Sequence, residues 1–443
     1  MVVTKLPSYV NEILHRLEES GFEAYVVGGC VRDHLLSFIP TDYDITTSAT
    51  PPEIKAVFPE IKTVDIGIAH GTVGLCFENA IVEVTTFRID GEYQDSRHPT
   101  EVVFTPSLEE DLKRRDFTVN AMAFSPSRGL VDLFGGVEDL KKRIIRCVGN
   151  PQKRFTEDAL RIMRALRFAS TLGFTIEEDT LNAARSLRMG LLQVASERIT
   201  TELVKMLCGA NIKQVLMETV GVLGAIIPEL LPMENFDQRN PHHIYNVLEH
   251  TAVALENVEP TSELRLAVLF HDIGKPSTFT LDESGVGHFH GHAEASVDLT
   301  KAALQRFRLD KATFERVLQL VRWHDYWIEP NKKSVKRMLN RLTPEGLDAL
   351  LKVKCADNIA QHPEHRDRLK VYEKIREISK EIITDEECFS LKDLAVNGKD
   401  LIGIGIPPGP HIGEVLNHLL DEVVEERIPN ERKTLLDFAS NLK

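Results

Sequence analysis

Glu23-Ala24-Tyr25-Val26-Val27 is β-branched and aromatic, reads as a strand, and runs directly into two glycines, Gly28-Gly29. Glycines there let backbone approach a ligand with no side chain in the way. Cys30 to Ser37 reads as a short helix, and amide N–H groups at its start suit a phosphate. Arg32 falls in the first turn, where its planar guanidinium can grip a phosphate oxygen. Asp42 and Asp44 follow, two residues apart, a spacing that puts both carboxylates on one face of an extended strand. Side by side they repel unless a cation sits between them, and hard oxygen ligands suit Mg²⁺. A lone Gly-Gly is usually a turn and a lone Asp-x-Asp usually a solvated loop. In this order and spacing they point to a nucleoside triphosphate site with a metal pair.

A chain of 443 residues is too long for one core and implies about two to four domains. No apolar run reaches the length of a membrane span, and no basic-then-apolar leader opens the sequence. The 6 cysteines are scattered without a Cys-x-x-Cys pair, which predicts reduced thiols in a cytoplasmic protein. A net charge of −14 argues against nucleic acid only if charge is spread evenly. Basic residues cluster at Lys141–Arg143 with Arg146, at Lys153-Arg154, at Arg161, Arg164 and Arg167, and from Lys332 to Arg341. Ordinary solvated helix faces are the alternative reading of such clusters.

Further along, strands are predicted at Thr63–Ile66, Thr72–Phe77 and Ile81–Phe87, the last carrying Glu83 as a third candidate acid. An exposed strand glutamate is the commoner case. Residues 88–101 are polar and aperiodic and read as a mobile loop. Arg114 to Met122 reads as a helix with a charged first turn; Arg115 is a candidate triphosphate ligand, or else a surface partner of Asp116. Glu157 to Phe168 reads as one helix capped by Thr156, with Asp158, Arg161, Arg164 and Arg167 recurring every third residue. By spacing alone these are a surface ion-pair stripe. Leu264–Phe270 is an apolar run into His271-Asp272-Ile273-Gly274-Lys275, with His250, His292, His324 and Asp357 on flanking helical sequence.

Together these motifs resemble the class II tRNA nucleotidyltransferases, the CCA-adding enzymes of the DNA polymerase β superfamily, followed by an HD domain. The resemblance covers nearly the whole chain. It implies an α+β fold: a small mixed-sheet nucleotidyltransferase head at 1–145, then a mostly α-helical neck at 146–230, HD domain at 231–365 and helical tail at 366–443 contacting tRNA. It implies CTP and ATP as substrates, the tRNA acceptor end as partner, Mg²⁺ held by catalytic Asp42 and Asp44, and no membrane. Nucleotide binding is expected at Gly28, Gly29, Arg32, Arg115, Asp158, Arg161, Arg164 and Arg167.

In this family the Glu-Asp-x-x-Arg element selects the incoming base in place of a nucleic-acid template. Cytosine and adenine each offer an amino donor beside a bare ring nitrogen, whereas uracil and guanine offer the reverse. Asp158 would accept from the amino group and Arg161 would donate to the ring nitrogen. The Asp95–Arg97 element looks like the family's loop motif for adding the terminal A. In the HD superfamily, ligands matching His250, His271, Asp272 and Asp357, with His292 and His324 in two-metal members, bind divalent ions for phosphate-ester hydrolysis. Mn, Ni, Co, Fe or Zn suits such a set. Alternatives are an A-adding or poly(A)-polymerase-like relative, and an HD phosphohydrolase whose head only binds RNA. The oligomeric state stays open, a homodimer included.

Overall fold

The computed structural model describes residues 6–77, 80–91 and 102–442. The chain divides into two compact units after Pro228.

The first unit holds eleven strands among the described residues: β1 (Ala24–Val27), β2 (Asp44–Thr47), β3 (Thr63–Gly67), β4 (Thr72–Phe77), β5 (Ala80–Thr86), β6 (Arg88–Asp90), β7 (Val102–Phe104), β8 (Met122–Ser125), β9 (Gly129–Asp132), and β10 (Ile144–Ile145) with β11 (Thr175–Ile176), the last two a short parallel pair. Seven of them form one sheet in the order β3-β4-β5-β2-β1-β8-β9, and β6 pairs with β7 separately. Only β2 and β5 pair in parallel within the sheet; the other neighbours are antiparallel. β1 is buried along its whole length, which explains its unbroken apolar sequence. Helix Ser8–Glu19 lays Val10, Ile13, Leu14 and Leu17 into the core, at the i, i+3, i+4 spacing of an amphipathic helix.

Two expected helices take a different form. Arg114–Met122 is not one helix: helix Leu108–Lys113 ends there, a 3₁₀ turn spans Thr118–Asn120, and Met122 already begins β8. Asp111 lies one turn before Arg114 and Arg115 and binds both, which fixes the helix end. Glu157–Phe168 is likewise divided. Helix Pro151–Glu157 stops, Asp158 is extended (φ −142°, ψ 104°), and a second helix runs Leu160–Leu172. Thr156 is not its cap; the Asp158 carboxylate accepts from the Leu160 N–H at 3.0 Å instead. Helix Leu160–Leu172 then packs on helix Ser196–Leu207.

The second unit is almost wholly helical. Helices Val247–Glu256, Ser262–Phe270, His292–Leu304, Lys311–Trp323 and Lys332–Ile359 pack together, and a smaller core closes the tail around Leu401, Leu419 and Leu435. Helix Ser262–Phe270 buries every residue from Leu264 onward and so delivers His271-Asp272 to the interior. The long helix Lys332–Ile359 kinks at Thr343, where φ is 66°, because Pro344 lacks an N–H and disfavours helical backbone before it.

The basic run Lys332–Arg341 is not an open cationic face. Lys332 and Lys336 pair with Glu387, Lys333 and Arg337 pair with Glu425, and Arg341 lies over the Trp323 ring.

Candidate active site and metal centre

Gly28 adopts φ 79°, a left-handed conformation that favours glycine, and helix Gly29–Leu35 starts from it. A side chain there would press on Arg115 Nη1, 3.3 Å from an added Cβ. Arg115 thus borders the glycine turn, held by Asp111 at 3.2 Å, and its buried Nε has no hydrogen-bond partner. The sequence alternative named Asp116 as its partner; the partner is Asp111, fully buried and also bonded to Arg114 and Thr46. Burial would raise the Asp111 carboxyl, but Arg115 and Arg114 hold it below the usual range.

The two aspartates do not share a strand. β2 begins at Asp44, and Asp42 precedes it, exposed. The parallel register pairs Ile45 with Val84, so one step earlier Asp44 adjoins Glu83. Asp44 lies at the exposed start of the central strand β2; the protein around it, then the charge of Asp42, raise its carboxyl, Glu83 adds to this and Arg115 opposes it. Like charges gathered around one carboxylate form a place where a divalent cation lowers the energy. Glu83 therefore lies beside Asp44, set there by strand register rather than by sequence proximity.

Arg32 does not point to open solvent. It is 9% exposed, donates to Asn120 Oδ1 and Asp33 Oδ1 at 2.8 Å each, and lies over the Phe168 ring. Asn120 donates to Asp116 at 3.2 Å, and Asp116 accepts from Arg164 Nε at 2.8 Å. One buried chain thus runs from the glycine loop through Asn120 and Asp116 to the helix after Asp158. Burial alone would raise the Asp116 carboxyl; the Arg164 guanidinium holds it at about 2. Removing one partner strands the other charge. Asp116→Asn is expected to cost about 3–5 kcal/mol of unfolding free energy at pH 7, read by urea denaturation. The folded-state carboxyl is depressed, so its contribution is present above the ordinary carboxylate range. The gap between wild type and variant should narrow as pH falls from about 4 to about 2.

The Asp158–Arg161–Arg164–Arg167 stripe is a set of committed ion pairs. Asp158 accepts from Arg198 at 3.0 Å. Arg161 donates to Glu157 at 2.7 Å and to the Arg154 and Arg114 carbonyls at 3.1 Å. Arg167 pairs with Glu202 at 2.5 Å and stacks 3.8 Å from the Phe168 ring centre. Asp158 and Arg161 adjoin at one helix start, each with its own protein partners. Asp95 and Arg97 lie outside the described residues.

In the second unit the fold gathers all six predicted ligands. His250, His271, Asp272 and Asp357 converge, and Asp272, His292 and His324 form an adjoining set. Asp272 serves both: Oδ2 lies 3.4 Å from His250 Nε2 and 3.3 Å from His271 Nε2, while Oδ1 lies 3.5 Å from His292 Nε2 and 3.7 Å from His324 Nε2. Every one of these imidazoles faces a backbone carbonyl through Nδ1: Ala360, Val268, Phe289 and Val321 at 3.3, 2.7, 2.9 and 2.7 Å. A carbonyl only accepts, so each Nδ1 carries the proton and each Nε2 turns to the cluster, the arrangement of a metal-ligating histidine. His292 Nε2 and His324 Nε2 face each other at 3.1 Å, a spacing that a shared proton or a metal ion would satisfy. His271 Nε2 is buried without a hydrogen-bond partner, as an unmet ligand would be, and Asp272 Oδ2 beside it is paired with the Lys275 ammonium at 2.7 Å. Burial would lower His271, but Asp272 and Asp357 raise it to about 10, so the site takes up positive charge, as a proton or as a metal ion that displaces it.

A cavity of about 490 Å³ opens over this centre, lined among others by His243, Lys275, His290 and Arg368. Sequence reading missed Asp111, Asn120, Asp116, Arg198 and Glu202 as supports of the head and neck. The i+3 and i+4 spacing of Asp111 to the two arginines, and the i+4 spacing of Asp116 to Asn120, were the local signals available.

The motif expectations have counterparts in known proteins. Residues 24–146 match the Poly A polymerase head domain family, residues 173–233 the RNA- and SrmB-binding site of polymerase A, and residues 294–439 the tRNA nucleotidyltransferase domain 2 family. The chain is 36% identical over 443 residues to the CCA-adding enzyme of Enterococcus faecalis, covering 99% of this chain and 98% of that one. It is 35% identical over 446 residues to the CCA-adding enzyme of Ligilactobacillus salivarius, covering 100% and 99%. Its fold matches the crystal structure of the Bacillus stearothermophilus CCA-adding enzyme in complex with CTP, with a TM-score of 0.72 at 29% identity over 99% of this chain and 98% of that one. With more than a third of its residues shared along the full length of these relatives, this chain belongs to the CCA-adding enzyme family.

Proposed function

We infer that the protein adds C, C and A to the tRNA 3′ end from CTP and ATP, without a nucleic-acid template, releasing pyrophosphate. As a nucleotidyltransferase of this family it uses a divalent metal. The observation that carries the reading is Asp44, acted on by the charges of Asp42 and Glu83 and opposed by Arg115, which borders the glycine turn. Mg²⁺ is the ion proposed, held by Asp42 and Asp44; when bound it lowers the pKa of the RNA 3′-hydroxyl and neutralises triphosphate charge. Arg115 supplies donors to the triphosphate beside Gly28 and Gly29. Arg32 braces this loop through Asn120. The 3′-hydroxyl gives its proton to solvent water, its oxygen attacks the α-phosphorus, and the bond to the pyrophosphate oxygen breaks.

Base choice is assigned to Asp158 and Arg161. A carboxylate offers about four acceptor positions, so Asp158 can receive an amino group while Arg198 still holds it. Arg161 is tied to Glu157 and two carbonyls, so donating to a ring nitrogen requires exchanging one of them. Arg164 and Arg167 hold this helix in place. The domain limits proposed are those of head, neck, HD domain and tail given above. A reducing, cytoplasmic location fits the six free cysteines. Among the described residues no helix is long and apolar enough to cross a membrane. The test is incorporation of each labelled nucleotide into tRNAs lacking CCA, CA or A.

The six-ligand centre of the second unit supports a second reading: metal-dependent hydrolysis of small phosphate esters, with Mn, Ni, Co, Fe or Zn at the imidazole sites. His271→Ala is expected to remove that hydrolysis and leave CTP transfer in place. Wild-type protein inactive on phosphate esters with every one of these ions would make the centre structural.

A further inference from the structure

We infer that Lys354 is the positioning residue that holds His324 at the second ion position of the six-ligand centre, an inference that rests on the metal-centre reading above. Lys354 lies one helical turn before Asp357 and is 4% exposed. An ammonium taken so far from water must be bonded or it destabilises the fold. Its Nζ donates to the His324 carbonyl and, at 2.8 Å, to the Tyr326 carbonyl. These carbonyls follow helix Lys311–Trp323, where the last C=O groups have no helical N–H and the dipole favours a cation. Among the described residues no acid lies within salt-bridge distance of Lys354; Asp357 and Asp325 act on it only at longer range, and Arg368 opposes them.

His324 is therefore fixed twice: its ring through Nδ1 to the Val321 carbonyl, and its backbone through Lys354. The ligands of the other position are fixed without Lys354. His250 is anchored by the Ala360 carbonyl and by Asp357 at 2.9 Å, and His271 by the Val268 carbonyl. His292 is held by the Phe289 carbonyl. Loss of Lys354 should free the turn at His324 and weaken one ion position selectively. Outer partners of metal ligands are typically worth about 10–100-fold in metal affinity.

The probe is Mn²⁺ titrated into the full chain and followed by electron paramagnetic resonance and calorimetry. Wild type is expected to show an exchange-coupled Mn²⁺ pair across Asp272. Any Mn²⁺ at Asp42 and Asp44 adds the same uncoupled signal to every variant. Lys354→Met should keep the first ion of the centre, bind the second at least about tenfold more weakly, and lose the coupled spectrum. Lys354→Arg, which retains a cation with donors for both carbonyls, should keep the pair. Lys354→Gln carries the same expectation as Lys354→Met and replaces it if that variant does not fold. An unchanged coupled pair in the Met or Gln variant, or equal loss of both ions, overturns the role of Lys354. Absence of any His271-dependent Mn²⁺ binding in wild type overturns the metal-centre reading itself.

Discussion

Asp42→Ala is expected to abolish addition of C and of A together, by at least about a thousandfold in kcat for each. In the proposed function both nucleotides meet the same acidic set, because only one such set adjoins the glycine turn among the described residues. Asp42 precedes β2 and is exposed, so its replacement should leave stability within about 0.5 kcal/mol. The loss then belongs to chemistry and not to folding. Removing one like charge should also let the Asp44 carboxyl titrate lower than in wild type. The measurement is single-turnover transfer, with CTP on tRNA lacking CCA and with ATP on tRNA lacking only A. Near-normal A addition by the variant would contradict one shared site.

The parts of this site that sequence revealed are those packed into short stretches. The strand before Gly28, the turn, and the helix after it follow from β-branched residues, two glycines and a helical run, and they fold as read. The six ligands of the second unit were legible because His271-Asp272 sits at the end of a helix that from Leu264 onward is apolar except for Arg265. What sequence hid depends on contacts between distant segments. Glu83 joins Asp44 only through the parallel β2–β5 register. Asp116 reads locally as the partner of Arg115, yet folding carries it to Arg164, 48 residues away. The break at Asp158 went unseen because helix propensity is high on both sides; the side chain itself ends the run by capping the Leu160 N–H. The basic run at Lys332–Arg341 reads as an RNA face until Glu387 and Glu425 are brought against it.

Asp158→Asn should change which pyrimidine is used. A carboxylate accepts hydrogen bonds only, so it suits the cytosine amino group and repels the uracil carbonyl. Asparagine has nearly the same size and can turn its NH₂ toward that carbonyl. Arg161 would still oppose the uracil ring N–H, so relaxation should be partial. Sites built on buried hydrogen bonds discriminate by up to about 10⁴–10⁵, and the variant is expected to lose about 10²-fold of the C-over-U preference. Asparagine also weakens the bond from Arg198, which lies outside the base-reading pair; Arg198→Lys, which keeps the carboxylate, should leave the C-over-U ratio near that of wild type.

The most direct measurement of protein templating is kcat/KM for CTP, UTP, ATP and GTP on tRNA lacking CCA, in wild type and Asp158→Asn. The expected result is strong preference for CTP over UTP in wild type and a collapse of that preference in the variant, with UTP use rising. A C-over-U ratio unchanged in an Asp158→Asn protein that remains active would mean that this segment does not read the base and that its carboxylate only pairs with Arg198.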